Sequence, residues 1–200
     1  MTYKEAKLID VDIIAEIHSR TFNNFFLTSL GMSFLKTYYK ACIKSKEAIS
    51  LCSLDENNNI VGFCFGALYS KGFNKRLILN NWSSFLIQSI RILFYKPKAV
   101  IRLLRNLKKE GNVKDNGDYA ELYSIAVLTE KKGLGIGKGL LIEFEKYVKK
   151  ELITNVSLTT DFKSNEAVLR FYKSMGYNVY YEFITYPNRI MFRLIKNLKE

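Results

Sequence analysis

Histidine is almost absent from this chain of 200 residues, in which His18 is the only one. One imidazole cannot supply a histidine-rich zinc site, and its scarcity argues against a catalytic triad built on histidine. His18 follows apolar residues at helical spacing in the segment DIIAEIHSR. We therefore expect it to have a surface or packing role.

Cysteine is scarce as well. The three cysteines cannot all pair, and the chain has no CxxC motif and no cluster of cysteine with histidine. This pattern is typical of a reducing compartment in which thiols fill the core. We interpret Cys52 and Cys64, which alternate with apolar residues, as core residues rather than nucleophiles, and we expect no metal site.

The sequence also lacks a long apolar run. Its most apolar window, residues 77–90, contains asparagine, serine and glutamine and lies between Arg76 and Arg91, so it is too short and too polar to cross a bilayer. The first residues do not show the basic stretch and apolar run of a secretory signal. We expect a cytoplasmic protein.

Acidic residues are missing from one long stretch. The net charge is +12, and ten basic residues but no Asp or Glu occur from Lys71 to Lys109. The rest of the chain is close to balanced. Such a segment indicates an anionic partner, for example nucleic acid, an anionic substrate or a membrane surface.

Hydrophobic periodicity predicts a mixed α/β chain. Two amphipathic helices open it, with Asp10 as the N-cap of the first, and a β-hairpin follows around the polar turn 55–59. After the basic segment, strands alternate with helices as far as Gly176. Two strands then close the chain around residues 187–188.

The basic segment interrupts this pattern. Its apolar spacing predicts two amphipathic helices, the second of which begins at Pro97. A connection of this length between two strands is unusual. We predict a single domain, residues 1–200, that carries a basic helical insertion at about residues 71–118.

Glycine is concentrated in the stretch KKGLGIGKGLL, residues 131–141, between a predicted strand and a predicted helix. Backbone N–H groups and the positive end of a helix dipole bind phosphate at such a turn. The dinucleotide pattern GxGxxG fails from each glycine, and the nucleotide P-loop fails because Lys138 is followed by Gly139 instead of Ser or Thr. Both nucleotide motifs are therefore excluded, and a plain glycine-rich turn is the bland alternative.

The stretch closely resembles the pyrophosphate loop of the GNAT acyltransferases, which reads basic or amide residue, two arbitrary or glycine positions, glycine, any residue, then glycine or alanine. A second segment, NEAVLRFYKSMGY, resembles the later part of that family, where asparagine opens a helix with an aromatic pair and glycine with an aromatic residue begins the next strand. The two segments stand in the family's order, and the resemblance runs from about residue 119 to residue 177. The matching residues are Lys132, Gly133, Leu134, Gly135, Ile136 and Gly137 in the loop, and Asn165, Phe171, Tyr172, Gly176 and Tyr177 in the second segment.

The resemblance implies the GNAT fold, a central mixed and mostly antiparallel sheet whose fourth and fifth strands splay apart, with flanking helices. Residues 71–118 then become an insertion between the third and fourth strands. The resemblance also implies an acetyl-CoA-dependent N-acetyltransferase, which transfers acetyl to an amine by direct attack in a ternary complex without a metal.

The resemblance further implies which residues bind acetyl-CoA. The glycine loop, with Lys138 beside it, matches the part that holds the diphosphate. The strand edge at Ile125, Ala126 and Val127 matches the part that pairs with the pantetheine arm and supplies a backbone oxyanion donor. Asn165 matches a residue that we expect both to cap its helix and to contact the arm.

Tyr172 is the candidate catalytic acid. It matches the tyrosine that protonates the CoA sulfur in many family members, and a phenol is a neutral donor at pH 7. The alternative is ordinary aromatic packing beside Phe171.

Glu121 is the candidate catalytic base. Regular strand alternation places it on one face with Tyr123 and Ile125, whereas a bulge would place it beside the cleft. The alternative is a salt bridge to a lysine. Asp161, which can instead bind substrate or cap the following helix, and Tyr119 are the substitutes for the base.

The acceptor is suggested by a broader resemblance. The stretches FFLTSLGMSFLKTYYK and FNKRLILNNW resemble GNAT enzymes associated with bacterial cell-surface polysaccharide synthesis, which implies an amino sugar on a nucleotide or lipid diphosphate. The basic insertion then suits a sugar diphosphate, a homodimer surface or the anionic inner face of a membrane, and a solvated helical face is the alternative.

Two other functions stay open. One is acetylation of a protein, a peptide or a small amine. The other is a degenerate GNAT domain that binds nucleic acid or membrane through its basic helices. The intact glycine loop argues against the second function, so nucleic acid is a disfavoured partner.

Overall fold

The computed structural model describes residues 1–23, 25–95, 115–163, 165–185 and 188–199. One seven-stranded sheet runs through this part of the chain. Its strands are β1 (Thr2–Glu5), β2 (Ala48–Leu54), β3 (Ile60–Ala67), β4 (Ala120–Val127), β5 (Asn155–Asp161), β6 (Asn178–Thr185) and β7 (Arg189–Asn197). Their order is β1-β2-β3-β4-β5-β7-β6, and every neighbouring pair is antiparallel except β4 and β5. The predicted fold class is confirmed.

Helices cover both faces of the sheet. Over the described residues they are α1 (Val11–Thr21), α2 (Phe26–Ser29), α3 (Met32–Lys44), α4 (Phe73–Asn80), α5 (Trp82–Tyr95), α6 (Ile136–Lys150) and α7 (Glu166–Ser174). On one face, α1 and α3 pack on a core that includes Phe63 and Phe65. On the other face, α6 and α7 pack on a core that includes Val156 and Leu158. Burial of apolar side chains on both faces is what holds these layers together.

The predicted order of elements is largely confirmed, but three short elements were missed: β1, α2 and α4. Asp10 occupies the N-cap position of α1, as predicted, but its carboxylate bonds to no N–H group at the start of that helix. It instead accepts hydrogen bonds from Lys4 Nζ at 2.9 Å and from the Lys7 amide at 2.8 Å, which tie β1 to the turn before α1. The predicted helix from Pro97 lies outside the described residues, and the single domain stays a prediction.

The three thiols behave as the sequence predicts. All three cysteines are free and buried, and burial raises the pKa of Cys52 to about 12. In the part of the chain that the structure describes, no group of three or more metal-ligating side chains forms a candidate metal site. Within that same part, none of the helices is both long and apolar enough to cross a membrane.

Candidate active site

The strand β4 separates from its neighbour β5 in the middle of the sheet. The two strands are paired only from Ala120 opposite Val156 to Leu122 opposite Leu158. Beyond this point β5 continues against β7 as far as Asp161, while β4 continues against β3. The open stretch of β4 therefore presents backbone N–H and C=O groups to a gap, as the edge of a sheet does. We call this opening the β4–β5 gap.

A β-bulge in β4 lies at the start of the gap. Ser124 is opposite Phe65 and Leu122 is opposite Gly66, so Tyr123 is an extra residue without a partner on β3. Such a bulge bends its strand and increases the local twist. It coincides with the point at which β4 leaves β5.

The bulge changes which side chains share a face of the sheet. Ile125 is opposite Cys64, and both pack on the α6 side. Glu121 is opposite Ala67, which packs on the α1 side together with Tyr123. The regular alternation that placed Glu121 and Ile125 on one face is therefore wrong, and the bulged alternative describes β4.

The predicted edge for the pantetheine arm lies beyond the bulge, within the open stretch of β4. Its side chains alternate, because Ile125 and Val127 pack on the α6 side while Ala126 is buried on the α1 side. The roles predicted for this edge, pairing with the pantetheine arm and donation to the oxyanion, belong to its backbone groups. These groups lie along the β4–β5 gap. Binding of the arm there stays a prediction.

The glycine loop follows β4 and leads into α6. Gly133 has a φ of 83° and Gly135 a φ of 74°, a region that only glycine adopts without strain. A Cβ added at either position would meet no atom within 4 Å. Backbone conformation, rather than crowding, thus requires glycine here. The loop is exposed, including the side chains of Lys132 and Leu134.

The first turn of α6 completes the loop. Ile136 is buried, whereas Lys138 is exposed. The first N–H groups of a helix lack partners within it and carry partial positive charge. At Gly139 a Cβ would lie 1.7 Å from the Tyr3 hydroxyl, so glycine allows β1 to pack against this turn. Gly137 meets only an ordinary contact, at 3.9 Å.

Tyr172 lies on the same side of the sheet as the glycine loop, in the core that includes Ile136. Its ring centroid lies 5.1 Å from that of Phe171 and 5.7 Å from that of Tyr177. Burial, and to a lesser extent the Cys64 thiol, raise the pKa of the Tyr172 phenol. No described residue hydrogen-bonds to its hydroxyl, which is therefore a neutral donor available to a ligand.

Asn165 holds the start of α7 in an unexpected way. It occupies the N-cap position, as predicted, but its side chain caps no helix N–H group. Its Nδ2 donates instead to Thr160 Oγ1 at 2.5 Å and to the Asp161 carbonyl at 3.1 Å, at the end of β5. The Asp161 carboxylate is paired with Arg189, whose guanidinium lies 5.1 Å from the Phe25 ring centroid. Asp161 is therefore held by an arginine, and it does not cap α7.

Glu121 lies one residue before the last pair of β4 with β5 and is 3% exposed. Its carboxylate accepts a hydrogen bond from Arg193 Nη1 at 2.6 Å and another from the Ser70 hydroxyl. Burial and the negative charge of this carboxylate raise the pKa of Tyr123, which lies at the bulge. The salt-bridge alternative is therefore present, although with an arginine of β7 instead of a lysine.

A second carboxylate, Asp115, lies on this network and was missed from the sequence. It accepts hydrogen bonds from the hydroxyls of Tyr119 and Tyr181, and lies 3.8 Å from Arg193 Nε. Burial raises the pKa of Asp115, but the two tyrosines, the Gly117 amide and Arg193 together lower it below its usual value. Tyr119, a predicted substitute for the base, thus donates its hydroxyl hydrogen to Asp115.

Arg193 was also missed, although the sequence carries a signal for it. It is the one charged residue in the run IMFRLI of β7, and a charge within an apolar strand is rarely buried without a partner. Its side chain is 2% exposed, and it donates to Ser157 Oγ at 3.3 Å in addition to Glu121. Its Nε has no hydrogen-bond partner among the described residues.

His18 is 3% exposed, so its predicted packing role is confirmed and its predicted surface role is wrong. Its Nδ1 lies 2.6 Å from the Tyr39 hydroxyl, and its Nε2 has no partner among the described residues. The Tyr39 hydroxyl also interacts with Ser124 of β4. Burial lowers the pKa of His18 to about 4. The ring is therefore neutral at pH 7.

Comparison with known proteins identifies the family to which this arrangement belongs. The sequence profile described as the Acetyltransferase (GNAT) family matches residues 12–177, most of the chain. The chain belongs to the GNAT acetyltransferase family. Members of this family use acetyl-CoA as the acyl donor, so this GNAT protein is an acyltransferase that acts on an amine. A comparison with curated proteins gave no match.

Solved structures show the same fold at low sequence identity. The ribosomal-protein-S18-alanine N-acetyltransferase from Escherichia coli is 14% identical with a TM-score of 0.62, over 98% of this chain and 93% of that one. Aminoglycoside 6'-acetyltransferase type Ii is 15% identical with a TM-score of 0.62, over 99% and 97%. The PaiA N-acetyltransferase from Thermoplasma acidophilum, in complex with coenzyme A, is 14% identical with a TM-score of 0.54, over 98% of each chain.

The residues present fit the acyl donor of this GNAT family. Two glycines at positive φ with open space beside them, the first turn of α6, and the exposed Lys132 and Lys138 form a place for a diphosphate. The unpartnered hydroxyl of Tyr172 lies on the same side of the sheet.

Proposed function

We propose that this GNAT enzyme transfers acetyl from acetyl-CoA to the primary amine of a small, phosphate-bearing acceptor, of which a nucleotide- or lipid-linked amino sugar is the example. In the transfer, the acceptor nitrogen bonds to the carbonyl carbon and the carbon–sulfur bond breaks. Tyr172 donates its proton to the departing sulfur, and Glu121 receives the proton that the amine loses. Backbone N–H groups of residues 125–127 stabilise the oxyanion.

One observation carries the assignment of acid and base. Tyr172 and the glycine loop lie on the α6 side of the sheet, while Glu121 and Tyr123 lie on the α1 side, and the β4–β5 gap opens between them. Donor and acceptor can thus approach from opposite faces, so that the leaving sulfur and the attacking amine meet different proton-transfer groups. This separation suits direct attack in a ternary complex.

The route of the amine proton runs through hydroxyl groups. Glu121 is buried behind Tyr123 and Ser70, and both hydroxyls interact with its carboxylate. A proton lost by the amine would pass along this chain, or through a water, to the carboxylate. Arg193 fixes the carboxylate in place at 2.6 Å. Asn165, which is tied to the end of β5, borders the gap on its other side.

The phosphate-bearing acceptor is supported by charge. The absence of acidic residues from Lys71 to Lys109 favours an anionic ligand over a cationic one. In the described part of this segment, Phe73 of α4 stacks 5.7 Å from Tyr123 at the bulge. Phe73 also lines a groove of about 370 Å³, whose charged lining residues are Lys44, Lys46 and Arg76 together with Glu47, the ion-pair partner of Arg76. Cations therefore lie one aromatic ring away from the proposed site of attack.

A second acceptor class, a peptide N-terminus or a polyamine, is favoured by a different observation. Two carboxylates, Asp115 and Glu121, share the single guanidinium of Arg193. The cluster therefore has a net negative charge, which would attract a cationic amine. The two classes carry opposite charges, so one assay separates them.

The first experiment tests the donor site. The protein is titrated by calorimetry with acetyl-CoA, CoA and ATP at moderate salt. We expect saturable binding of the two CoA compounds in the micromolar range, and its loss in the variant Gly135→Val. Absence of CoA binding by the folded protein would overturn the enzyme and favour a degenerate binding module, whose ligand should dissociate steeply with salt.

The second experiment identifies the acceptor. Thiol release from acetyl-CoA is measured with a nucleotide-linked amino sugar, the same free amino sugar, a peptide and spermidine. We expect the nucleotide-linked sugar to give a higher kcat/KM than the free sugar, because only the first has phosphates. Equal values for the two sugars, or preference for the peptide or spermidine, would overturn the phosphate-bearing acceptor while leaving acetyl transfer intact.

A further inference from the structure

Helix α5 has two apolar faces, and only one of them is covered by the described protein. Its inner face buries Phe85, Gln88 and Ile92, and Phe85 packs 5.8 Å from Phe34 of α3. Its outer face exposes six large apolar side chains. These are Trp82 (64% exposed), Leu86 (50%), Ile87 (53%), Ile90 (48%), Leu93 (55%) and Phe94 (81%).

The outer face differs from that of an ordinary surface helix, which is polar on the side away from the core. Over residues 82–94, for which side-chain exposure is described, the exposed polar residues of α5 are Ser83, Ser84 and Arg91. Leu79, near the end of α4, is a further exposed apolar side chain, at 58%. A contiguous apolar surface of this kind marks a site of contact with another molecule or a membrane.

The charge around the face restricts what can cover it. Neither α4 nor α5 contains an acidic residue, and the sequence has none from Lys71 to Lys109. The groove lined by Lys44, Lys46, Glu47 and Arg76 reaches Asn81, the residue directly before α5. Its Arg76 is paired with Glu47, whereas Lys44 and Lys46 form no ion pair within the described ranges.

We propose that the outer face of α5 binds the surface of an anionic lipid bilayer. The apolar side chains would enter the boundary between headgroups and acyl chains, while the surrounding lysines and arginines contact lipid phosphates. A second copy of the chain is a poorer occupant, because two such faces would bring their cations together without acidic partners. The proposal concerns a surface outside the catalytic site and does not depend on the acceptor.

The length of α5 agrees with a helix that lies on the bilayer. Its fourteen residues measure about 21 Å at 1.5 Å per residue, less than the roughly 30 Å of a hydrocarbon core. The helix is also fixed along its inner face by α3. Insertion would therefore be shallow, with the helix axis near the plane of the membrane.

The chain offers an intrinsic probe, since Trp82 is its only tryptophan. The full-length protein is mixed with phosphatidylcholine vesicles that contain either no phosphatidylglycerol or about a third of it, and binding is measured by co-sedimentation. We expect binding to the anionic vesicles only, with a shift of Trp82 emission to shorter wavelength and weaker binding at high salt. Unshifted emission, or equal binding to both vesicles, would overturn the proposal.

Variants locate the contact. Leu86→Gln combined with Ile90→Gln should weaken vesicle binding roughly tenfold or more, because it removes apolar surface from the interface. The control is Leu152→Gln, which changes a side chain 89% exposed at the end of α6, on the opposite side of the sheet. It should bind vesicles like the wild type. Calorimetric binding of acetyl-CoA and circular dichroism verify that each variant is folded.

The oligomeric state distinguishes between the two occupants considered for the outer face of α5, a bilayer and a second copy of the chain. Sedimentation is measured without lipid for the wild type and the double variant. We expect monomers for both. A wild-type dimer that the double variant dissociates would show that a second copy covers α5 and would overturn the proposal, as would unchanged vesicle binding by the double variant.

Discussion

The carboxylate of Glu121 and the guanidinium of Arg193 form an ion pair of 2.6 Å in which the side chains are 4% and 2% exposed. The pair joins β4 to β7 across β5, because Arg193 also donates to Ser157 of β5. It therefore ties three strands together directly before the β4–β5 gap. A residue placed in this way has both a structural and a chemical effect when it is changed.

Substitution of Glu121 should lower both stability and turnover. Among the described residues, Glu121→Gln leaves the buried cation of Arg193 only the more distant carboxylate of Asp115, at 3.8 Å, which should reduce the free energy of unfolding by roughly 3 kcal/mol. If Glu121 is the base, kcat should also fall on the order of 10²-fold. Urea unfolding and steady-state kinetics measure the two effects.

A double variant separates them. Adding Arg193→Met to Glu121→Gln removes the buried cation but also takes from Asp115 its ion-pair partner, so part of the lost stability should return while turnover stays low. Recovery of turnover together with stability would mean that Glu121 only supports the fold, and the base would then be sought at Asp115 or in water.

Removal of the Tyr172 hydroxyl should affect chemistry and spare binding. Burial raises the pKa of this phenol, which keeps it protonated at pH 7. Tyr172→Phe should lower kcat on the order of 10²-fold, because the departing sulfur loses its proton donor. The affinity for acetyl-CoA, measured by calorimetry, should hardly change.

Tyr177→Phe is the matched control for Tyr172→Phe. Both hydroxyls lie in the same core, but that of Tyr177 donates to Glu145 Oε1 at 3.0 Å. Its loss should lower the melting temperature by removing a buried hydrogen bond, without lowering kcat. Equal kinetics in Tyr172→Phe and the wild type would leave Tyr172 as a packing residue.

Sequence patterns predicted the elements whose signals are local. The glycine loop could be located because its φ values demand glycine within a few residues of chain. The alternation of β4 was wrong because a bulge depends on the register with β3, which is set by residues about 60 positions earlier. Arg193 escaped notice for the same reason, since Glu121 and Ser157 are distant from it in sequence, and so did the contacts of Asp115 with Tyr181 and Arg193.

The sequence located the charged segment of the chain better than it located side-chain contacts. The basic segment could be recognised from composition, whereas the outward direction of the second apolar face of α5 depends on how α5 packs against α3. Similarly, the polar end of Asn165 bonds backward to β5 instead of capping its helix. Side-chain direction at such points is decided by tertiary packing rather than by local preference.

Gly135 should be necessary for donor binding through its backbone. Its φ of 74° and the open space beside it mean that Gly135→Ala strains the loop by about 1 kcal/mol, and relief of this strain would displace the amides that face the diphosphate. We expect the calorimetric Kd for acetyl-CoA to rise at least about tenfold.

Gly31 provides a matched control for Gly135. It has a φ of 94°, no atom within 4 Å of an added Cβ, and a position directly before α3. With a ψ of 165°, Gly31 lies in a region that is essentially reserved for glycine, so Gly31→Ala should carry at least as much backbone strain and lose at least as much melting temperature, with an unchanged Kd for acetyl-CoA. If both variants bind acetyl-CoA like the wild type, the loop does not hold the diphosphate.

His18 should make the fold sensitive to mild acid. Burial lowers its pKa to about 4, whereas the unfolded chain titrates near 6.5. Between these values the unfolded state binds more protons than the folded state. The contribution of His18 to the free energy of unfolding is therefore fully present above about pH 6.5 and is lost as the pH falls toward 4. The difference of pKa corresponds to about 3 kcal/mol.

The variant His18→Gln removes this titration and should flatten the dependence of unfolding free energy on pH relative to the wild type. Urea unfolding at several pH values from 7.5 to about 4.5 measures the unfolding free energy of both proteins. The contribution of carboxylate titration is common to both, so it cancels when one curve is subtracted from the other. Tyr39→Phe is the control, because it removes the 2.6 Å contact to Nδ1 and keeps the imidazole. It should retain the wild-type slope. Parallel curves for His18→Gln and the wild type would show that the ring is hydrated and titrates normally in the folded protein.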